Sequence, residues 1–275
     1  MSASAPPDAT VTPDAVRAAA ARLREAAATG VPCAPVRDLI GDDDVSRAYA
    51  VQTLLINERV SAGASIAGRK IGLTSPAVQQ WLGVDTPDFG VLLHDMEYSE
   101  DQTVPMSRLL QPRAEAEIAF VLKSDLTEGP FTASSVRDAV DHARAAIEIV
   151  DSRVRDWDIR LGDTVADNAS SGLYVLGAER RTLDDFEPLD VEMVMTCDGE
   201  EVSTGNGAAC LGSPLNALAW LASAALEHGE PLRAGQLVLS GALGPVHPVP
   251  SGAEIRAEIT GLGSVTARFS GKEDA

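Results

Sequence analysis

A chain of 275 residues is long enough for one large domain or two small ones, and its 45% hydrophobic content is that of a soluble globular protein. Acidic residues outnumber basic ones 41 to 22, a formal charge of -19, which repels nucleic acid and anionic membrane and argues against both as partners. Cys33, Cys197 and Cys210 form no CxxC pair, and the N-terminus has neither a basic nor an apolar signal region, so a cytoplasmic protein with three free thiols is expected.

In chain order, residues 1–11 read as a loose tail of Ser, Ala, Pro and Asp. Thr12 as N-cap, Pro13 in the first turn and Gly30 as stop bound a first helix. A second helix is predicted over 44–60, and after Gly63 the pattern shifts to short strand-like pieces. Short helices are predicted over 75–82 and 134–146. Segment 189–197 alternates apolar and polar side chains, and the turn Asp198-Gly199 makes it the first arm of a hairpin. Ser213-Pro214 opens a helix that Gly229 closes. Two alternating strands follow, with Ile255, Ala257 and Ile259 on one face of the first and Val265, Ala267 and Phe269 on one face of the second. No apolar run approaches the ~18 residues of a membrane span. The expectation is an α+β chain: a helical N-terminal subdomain at 1–62, then a mainly β body at 63–275.

The stretch RAEAEIAFVL reads as a strand, yet it carries Glu115 and Glu117. Strand side chains alternate with a period of two, so both carboxylates share one face and Ala116, Ile118 and Phe120 the other. An exposed face explains such a pair by itself. A third acid, Glu148, lies between Ile147 and Ile149 in what looks like a core strand, where carboxylates almost never bury without a partner. Three strand glutamates with no lysine beside them suit a hard divalent cation such as Mg2+ or Mn2+.

Lys70, in IAGRKIGLTS, sits among Ile66, Ile71 and Leu73 with Gly68 and Gly72 beside it. It is either a surface lysine with an apolar stem or a desolvated proton shuttle. Asp88 in DTPDFG is either a turn cap or a catalytic acid. DTVADNASS (163–171) is a polar loop whose side chains cap helix ends or line a site. DWDIRL lacks the acid and glycine of a calcium loop, GNGAACLG lacks the last glycine of a dinucleotide loop, and the four histidines show no ligand spacing.

Taken together, GRKIGLTS, LGVDTPDFGVLL, RAEAEIAFVL, IEIVDSRVRDWDIRLGDTVADNAS, GAACLGSPLNALAWLA and LVLSGALGPVHPV resemble, in order and from about residue 44 onward, the 2-keto-4-pentenoate hydratases. These belong to the fumarylacetoacetate hydrolase superfamily and act on 2-hydroxypenta-2,4-dienoate in meta-cleavage breakdown of aromatic compounds. The resemblance implies a β-roll core around a divalent metal, ligated by Glu115, Glu117 and Glu148. It further implies Lys70 as catalytic lysine, Asp88 as active-site acid, Ser170 as a substrate-contacting serine and Ser240 near the substrate carboxylate. A homo-oligomer is implied, with a decamer of five-fold rings as one arrangement, as is association with a downstream aldolase or a sister decarboxylase. His94 departs from the family pattern, where a small residue precedes the DM pair, and is expected to narrow the mouth of the site.

Two rivals remain at this stage. A 4-oxalocrotonate decarboxylase shares the metal chelation but typically lacks the acid of the DTPDFG loop, so Asp88 favours the hydratase. A non-catalytic metal-binding assembly subunit explains the glutamates but leaves Lys70 and Asp88 idle.

Overall fold

The computed structural model describes residues 13–42, 44–75, 79–80 and 83–271. The expected tail, the Thr12 cap and most of the helix predicted over 75–82 lie outside the described residues. Helix α1 spans Pro13–Thr29, followed by a single turn α2, Arg37–Ile40, and by α3, Val45–Ser61. Asp44 caps α3 by accepting the Arg47 amide. These helices bury Val16, Leu23, Val36, Ile40 and Val51 in a cluster of their own, completed by Val154, Val165 and Ala166 from the body. Gln52, buried in α3, fastens the two parts by donating to the carbonyls of Phe89 and Val165, each at 3.0 Å.

The body is built on two sheets. The larger contains β1 (Ile66–Gly72), β2 (Asp88–Leu93), β3 (Glu97–Ser99), β5 (Arg113–Leu122), β6 (Val140–Val150), β7 (Ser171–Leu176) and β10 (Leu237–Leu239), in the order β2-β1-β10-β5-β6-β7-β3, with β11 (His247–Pro248) added on β5. The smaller runs β4-β13-β12-β8-β9, with β4 Thr103–Val104, β8 Glu192–Cys197, β9 Glu200–Asn206, β12 Glu254–Ile259 and β13 Gly263–Phe269. Its inward residues Ile255, Ala257, Val265 and Ala267 share one core with Ala145 and Ile147 of β6. The hairpin at Asp198-Gly199 joins β8 to β9, and the predicted alternation of β12 and β13 holds. Strand β8 starts at Glu192, three residues later than the alternation alone suggested.

The helix predicted over 134–146 is a correction. Helix α4 covers only Ala133–Ala139, capped by Thr132, and the chain then enters β6. The alanine-rich run 143–146 has strong helix propensity, but its register against β5 and β7 buries it, and tertiary pairing outweighs propensity. Short helix α5, Leu161–Ala166, precedes β7. Helix α6, Pro214–Glu227, is capped by Ser213 and ends before Gly229 at φ +77°. Together with the preceding turn, residues 207–227 reach the length and hydropathy of a membrane span, contrary to the sequence expectation. Half of that stretch is buried, and Leu215, Leu218, Leu221 and Ala225 join the main core, so it packs as a core helix.

The larger sheet curls until β2 meets the segment leading into β7. Asn168 makes the join: its Oδ1 accepts the Val91 amide at 2.8 Å and its Nδ2 donates to the Val91 carbonyl at 2.9 Å. Asn168, Ala169 and Ser170 all have φ between +52° and +56°, a left-handed turn that costs non-glycine residues free energy. Gly90 makes room for it, since a Cβ there would overlap the Asn168 carbonyl. Replacing Asn168 with Ala strands both polar groups of Val91 and removes a side chain that tolerates the left-handed region. The expected loss is about 2–4 kcal/mol in urea unfolding. An unchanged midpoint would show that the join is not what closes the sheet.

Candidate active site

Glu115 and Glu117 project from the same face of β5, and Glu148 stands directly opposite Glu115 on β6. One carboxylate oxygen from each lies within 4.8 Å of the others. Glu117 and Glu148 are fully buried, whereas Glu115 is partly exposed. Like charges facing each other across a ladder are destabilising even at a surface, and burial amplifies the repulsion. Burial and the neighbouring glutamates push the Glu115 carboxyl up to about 7 and hold that of Glu117 well above the usual carboxylate range.

Lys70 enters from β1, next but one in the sheet to β5, with β10 between them. Its Nζ lies 3.1 Å from Glu148 Oε1, an ion pair buried on both sides. Desolvation works against its charge, but Glu148, Asp88, Glu115 and Glu117 together outweigh it and raise the lysine above its ordinary value, so it is an ammonium. This differs from the alternative of a lysine lowered towards neutrality. Asp88 opens β2 and pairs in register with Gly72. Both Asp88 oxygens are buried without a hydrogen-bond partner. Burial pushes its carboxyl up to about 6 against the pull of Lys70. Gly72 is required here by close approach, because a Cβ would overlap Asp88 Oδ1 and stand beside Lys70 Nζ.

Ser170, on the left-handed turn, is buried with its hydroxyl 3.1 Å from that of Thr164. Ser240 follows β10, but its hydroxyl accepts from the Ile118 amide and donates to the Gly241 carbonyl, each at 3.3 Å. The group from this segment that reaches the cluster is the Gly241 amide, which donates to Glu117 Oε2 at 2.7 Å. A backbone donor leaves no side-chain signature, so sequence reading could find only its neighbour. Asp163 and Asp167 of the polar loop are structural. Asp163 accepts from the Val36 and Arg37 amides and pairs with Arg37, and Asp167 grips Arg153 at 2.5 Å. His94 is exposed at the far end of β2 from Asp88, six residues or ~20 Å along the strand, so it cannot narrow the site as expected. Cys33, Cys197 and Cys210 are all free thiols.

The donor set fits a hard dication. Glu117 Oε1 and Glu148 Oε2 are buried and unpartnered, and Glu148 Oε1 has only the ion pair with Lys70, without hydrogen-bond alignment. Charge-bearing oxygens left in this state are what a hard cation with six oxygen ligands satisfies.

A curled sheet carrying buried carboxylates for a divalent metal, with a lysine and an acid against them, defines a class of metal-dependent enzymes. The family model for the fumarylacetoacetate (FAA) hydrolase C-terminal region matches residues 71–270. The 2-keto-4-pentenoate hydratase of Burkholderia vietnamiensis is 52% identical over 257 residues, covering 94% of this chain and 98% of the relative. The 2-hydroxyhexa-2,4-dienoate hydratase of Comamonas testosteroni is 38% identical over 90% of this chain and 95% of its own length. The 4-oxalocrotonate decarboxylase of Pseudomonas putida G7, solved with magnesium and adipate, superposes with a TM-score of 0.91 at 33% identity, covering 95% of this chain and all of that one. The chain belongs to the 2-keto-4-pentenoate hydratases, hydro-lyases within the fumarylacetoacetate hydrolase family.

Gly72 supplies a test that changes none of the candidate site residues themselves. Gly72→Ala should displace the Asp88 carboxylate while sparing the glutamates. Turnover should fall by about 10²-fold or more, the scale of a lost acid–base group, with metal affinity by calorimetry unchanged. Wild-type turnover would show that the Asp88 position is not critical.

Proposed function

We propose that the protein adds water to 2-hydroxypenta-2,4-dienoate to give 4-hydroxy-2-oxopentanoate, with Glu115, Glu117 and Glu148 holding Mg2+ or Mn2+. The observation that carries this reading is the placement of an ammonium, Lys70, and an unpartnered carboxyl, Asp88, against a buried three-glutamate cluster. A dication held there supplies Lewis-acid polarisation of the 2-oxo group and neutralises the glutamates. Water and the 2-oxo acid's adjacent oxygens suit the remaining coordination positions.

The residues of the chain then manage the protons. The dienol loses its 2-hydroxyl proton and gains one at C5, giving the conjugated 2-oxo-3-enoate. Asp88 takes a proton from water as the oxygen adds to C4, Lys70 returns a proton at C3, and the proton on Asp88 passes to Lys70 to restore both groups, so the sum is the addition of one H2O. Ser170 and Thr164, linked through their hydroxyls, sit where they can orient the substrate. Ser240 acts through the segment that presents the Gly241 amide. The helices at 13–61 serve as a subdomain bracing β2 through Gln52. We place the enzyme in the cytoplasm, in meta-cleavage catabolism of aromatic compounds, as a homo-oligomer that associates with an aldolase acting on its product or with a sister decarboxylase.

The decarboxylase reading is supported by the 0.91 TM-score alone, and Asp88 weighs against it. An ultraviolet assay separates the two, since a hydratase bleaches the conjugated dienoate without releasing CO2. Release of one CO2 per substrate consumed would replace hydration with decarboxylation.

Two sets of variants examine the roles. Glu115→Gln and Glu148→Gln should weaken metal binding steeply with the fold intact by circular dichroism, and undiminished turnover after exhaustive chelation would refute the metal requirement. Lys70→Ala should bind metal yet lose about 10²–10⁴-fold in turnover. Asp88→Asn should block hydration more than tautomerisation, read by NMR as solvent deuterium entering C5 of the substrate while dienoate persists. Hydration at the wild-type rate would make Asp88 a turn cap only.

A further inference from the structure

The strand that carries Glu115 and Glu117 begins with Arg113, which lies on the same face. Lys70, Asp88, Glu117 and Glu148 are each no more than 3% exposed, and Glu115 is the only member of this constellation open to solvent beyond that. Glu115 is thus the member of the cluster nearest to solvent, and the next side chain on that face of the strand is Arg113.

Arg113 is unlike the other buried or half-buried arginines among the described residues, each of which spends its guanidinium on a carboxylate or a carbonyl. Arg37, Arg69 and Arg153 each hold a carboxylate at 2.5 to 2.6 Å. Arg113, in a strongly acidic chain, makes no side-chain hydrogen bond and no ion pair with any described residue. Its guanidinium is instead held over the Trp157 ring, 4.3 Å from the centroid. That ring is itself fixed. Trp157 Nε1 donates to the Gln111 carbonyl at 3.1 Å, and the Gln111 side chain accepts the Asp156 amide at 2.8 Å while donating to the carbonyls of Ser152 and Val154. Asp156 and Trp157 adopt φ of +57° and +56° in this placement. Such strain persists only where the surroundings over-determine it, and it gathers at ligand clamps.

We infer that Arg113, stacked on Trp157 at the mouth, is the residue that receives the substrate carboxylate and sets the preference for anionic 2-oxo acids. This rests on the proposed reading of the site as one for a 2-oxo acid. When such an acid chelates through its 2-oxygen and one carboxylate oxygen, the second carboxylate oxygen stays free. A guanidinium beside Glu115 is placed to take it, with its planar donors unspent. The substrate then lies with C1 at the mouth and C3 to C5 towards Lys70 and Asp88.

The experiment uses the Mg2+-loaded enzyme and 2-oxopentanoate, a saturated analogue that cannot be hydrated. Calorimetry should show Arg113→Gln binding it about 10- to 100-fold more weakly, the worth of one charge-assisted pair. Turnover of the dienoate should show the loss in KM, with kcat nearly unchanged. Mg2+ affinity of the ligand-free protein should stay at the wild-type value. Arg113→Lys should recover part of the loss, and Trp157→Ala should fall between wild type and Arg113→Gln. Wild-type affinity for 2-oxopentanoate in Arg113→Gln overturns the inference, as does a loss matched by weakened Mg2+ binding, which makes Arg113 a support for Glu115 alone. If the wild-type enzyme with Mg2+ does not bind 2-oxopentanoate, the 2-oxo acid reading of the site fails first.

Discussion

Everything near the site answers one electrostatic problem: three carboxylates crowded on one face of two paired strands. At 4.8 Å, two unit charges repel by about 3–4 kcal/mol at an effective dielectric constant of 20. Three such pairs amount to much of a domain's entire stability. Two local features reduce the repulsion, the Lys70 ammonium against Glu148 and the Gly241 amide on Glu117. Neither reaches the remaining oxygens, and the carboxyls respond by holding their protons more tightly. A dication resolves the conflict at once. Relief of this repulsion is what a dication would gain on binding there, with the three groups held on two paired strands.

The same sheet explains why close relatives perform different chemistry. A decarboxylase solved with magnesium superposes with a TM-score of 0.91, so the shared fold leaves the reaction open. The acid–base groups come from β1 and β2, at the edge where the sheet curls to meet the 168–170 turn. Gly72 and Gly90 are the two positions at which a methyl group would close that gap, one against Asp88 and the other against the turn. Asp88 can be buried and unpartnered because the backbone around it is fixed from both sides, by Gln52 behind Phe89 and by Asn168 on Val91.

Much of this was legible in the residues. Period-two spacing put Glu115 and Glu117 on one face, and a lone acid between isoleucines marked Glu148. Start and stop residues located α1 and α6, and the composition of 44–60 located α3, each within a residue or two. Failures had a common cause, information held outside the local segment. The alanine-rich part of β6 is extended because β5 and β7 flank it, which no local propensity reports. Ser240 was visible as a side chain, whereas the working donor is the next residue's amide. His94 drew notice from its neighbours in sequence, but a strand carries it ~20 Å from the site. Arg113 passed unremarked because an arginine two residues from a glutamate looks like an ordinary counter-ion, and its stacking partner lies 44 positions away.

Charge balance ties the two ends of the site together. Glu115, Glu117, Glu148 and Asp88 present four carboxyls, and one ammonium with one dication leaves a negative charge uncompensated when all are ionised. An anionic substrate would enter against that remaining charge and against the field of a chain at -19. A fixed arginine on the approach brings the ionised site to neutrality before the substrate arrives, and its cost is small because the aromatic face of Trp157 replaces much of its lost hydration. An ion-paired acid would cancel this effect; among the described residues Arg113 forms no ion pair, and Glu115 on the same face is the acid whose charge it feels. The strand from Arg113 to Glu117 thus sets one positive charge and two negative ones in a row on a single face.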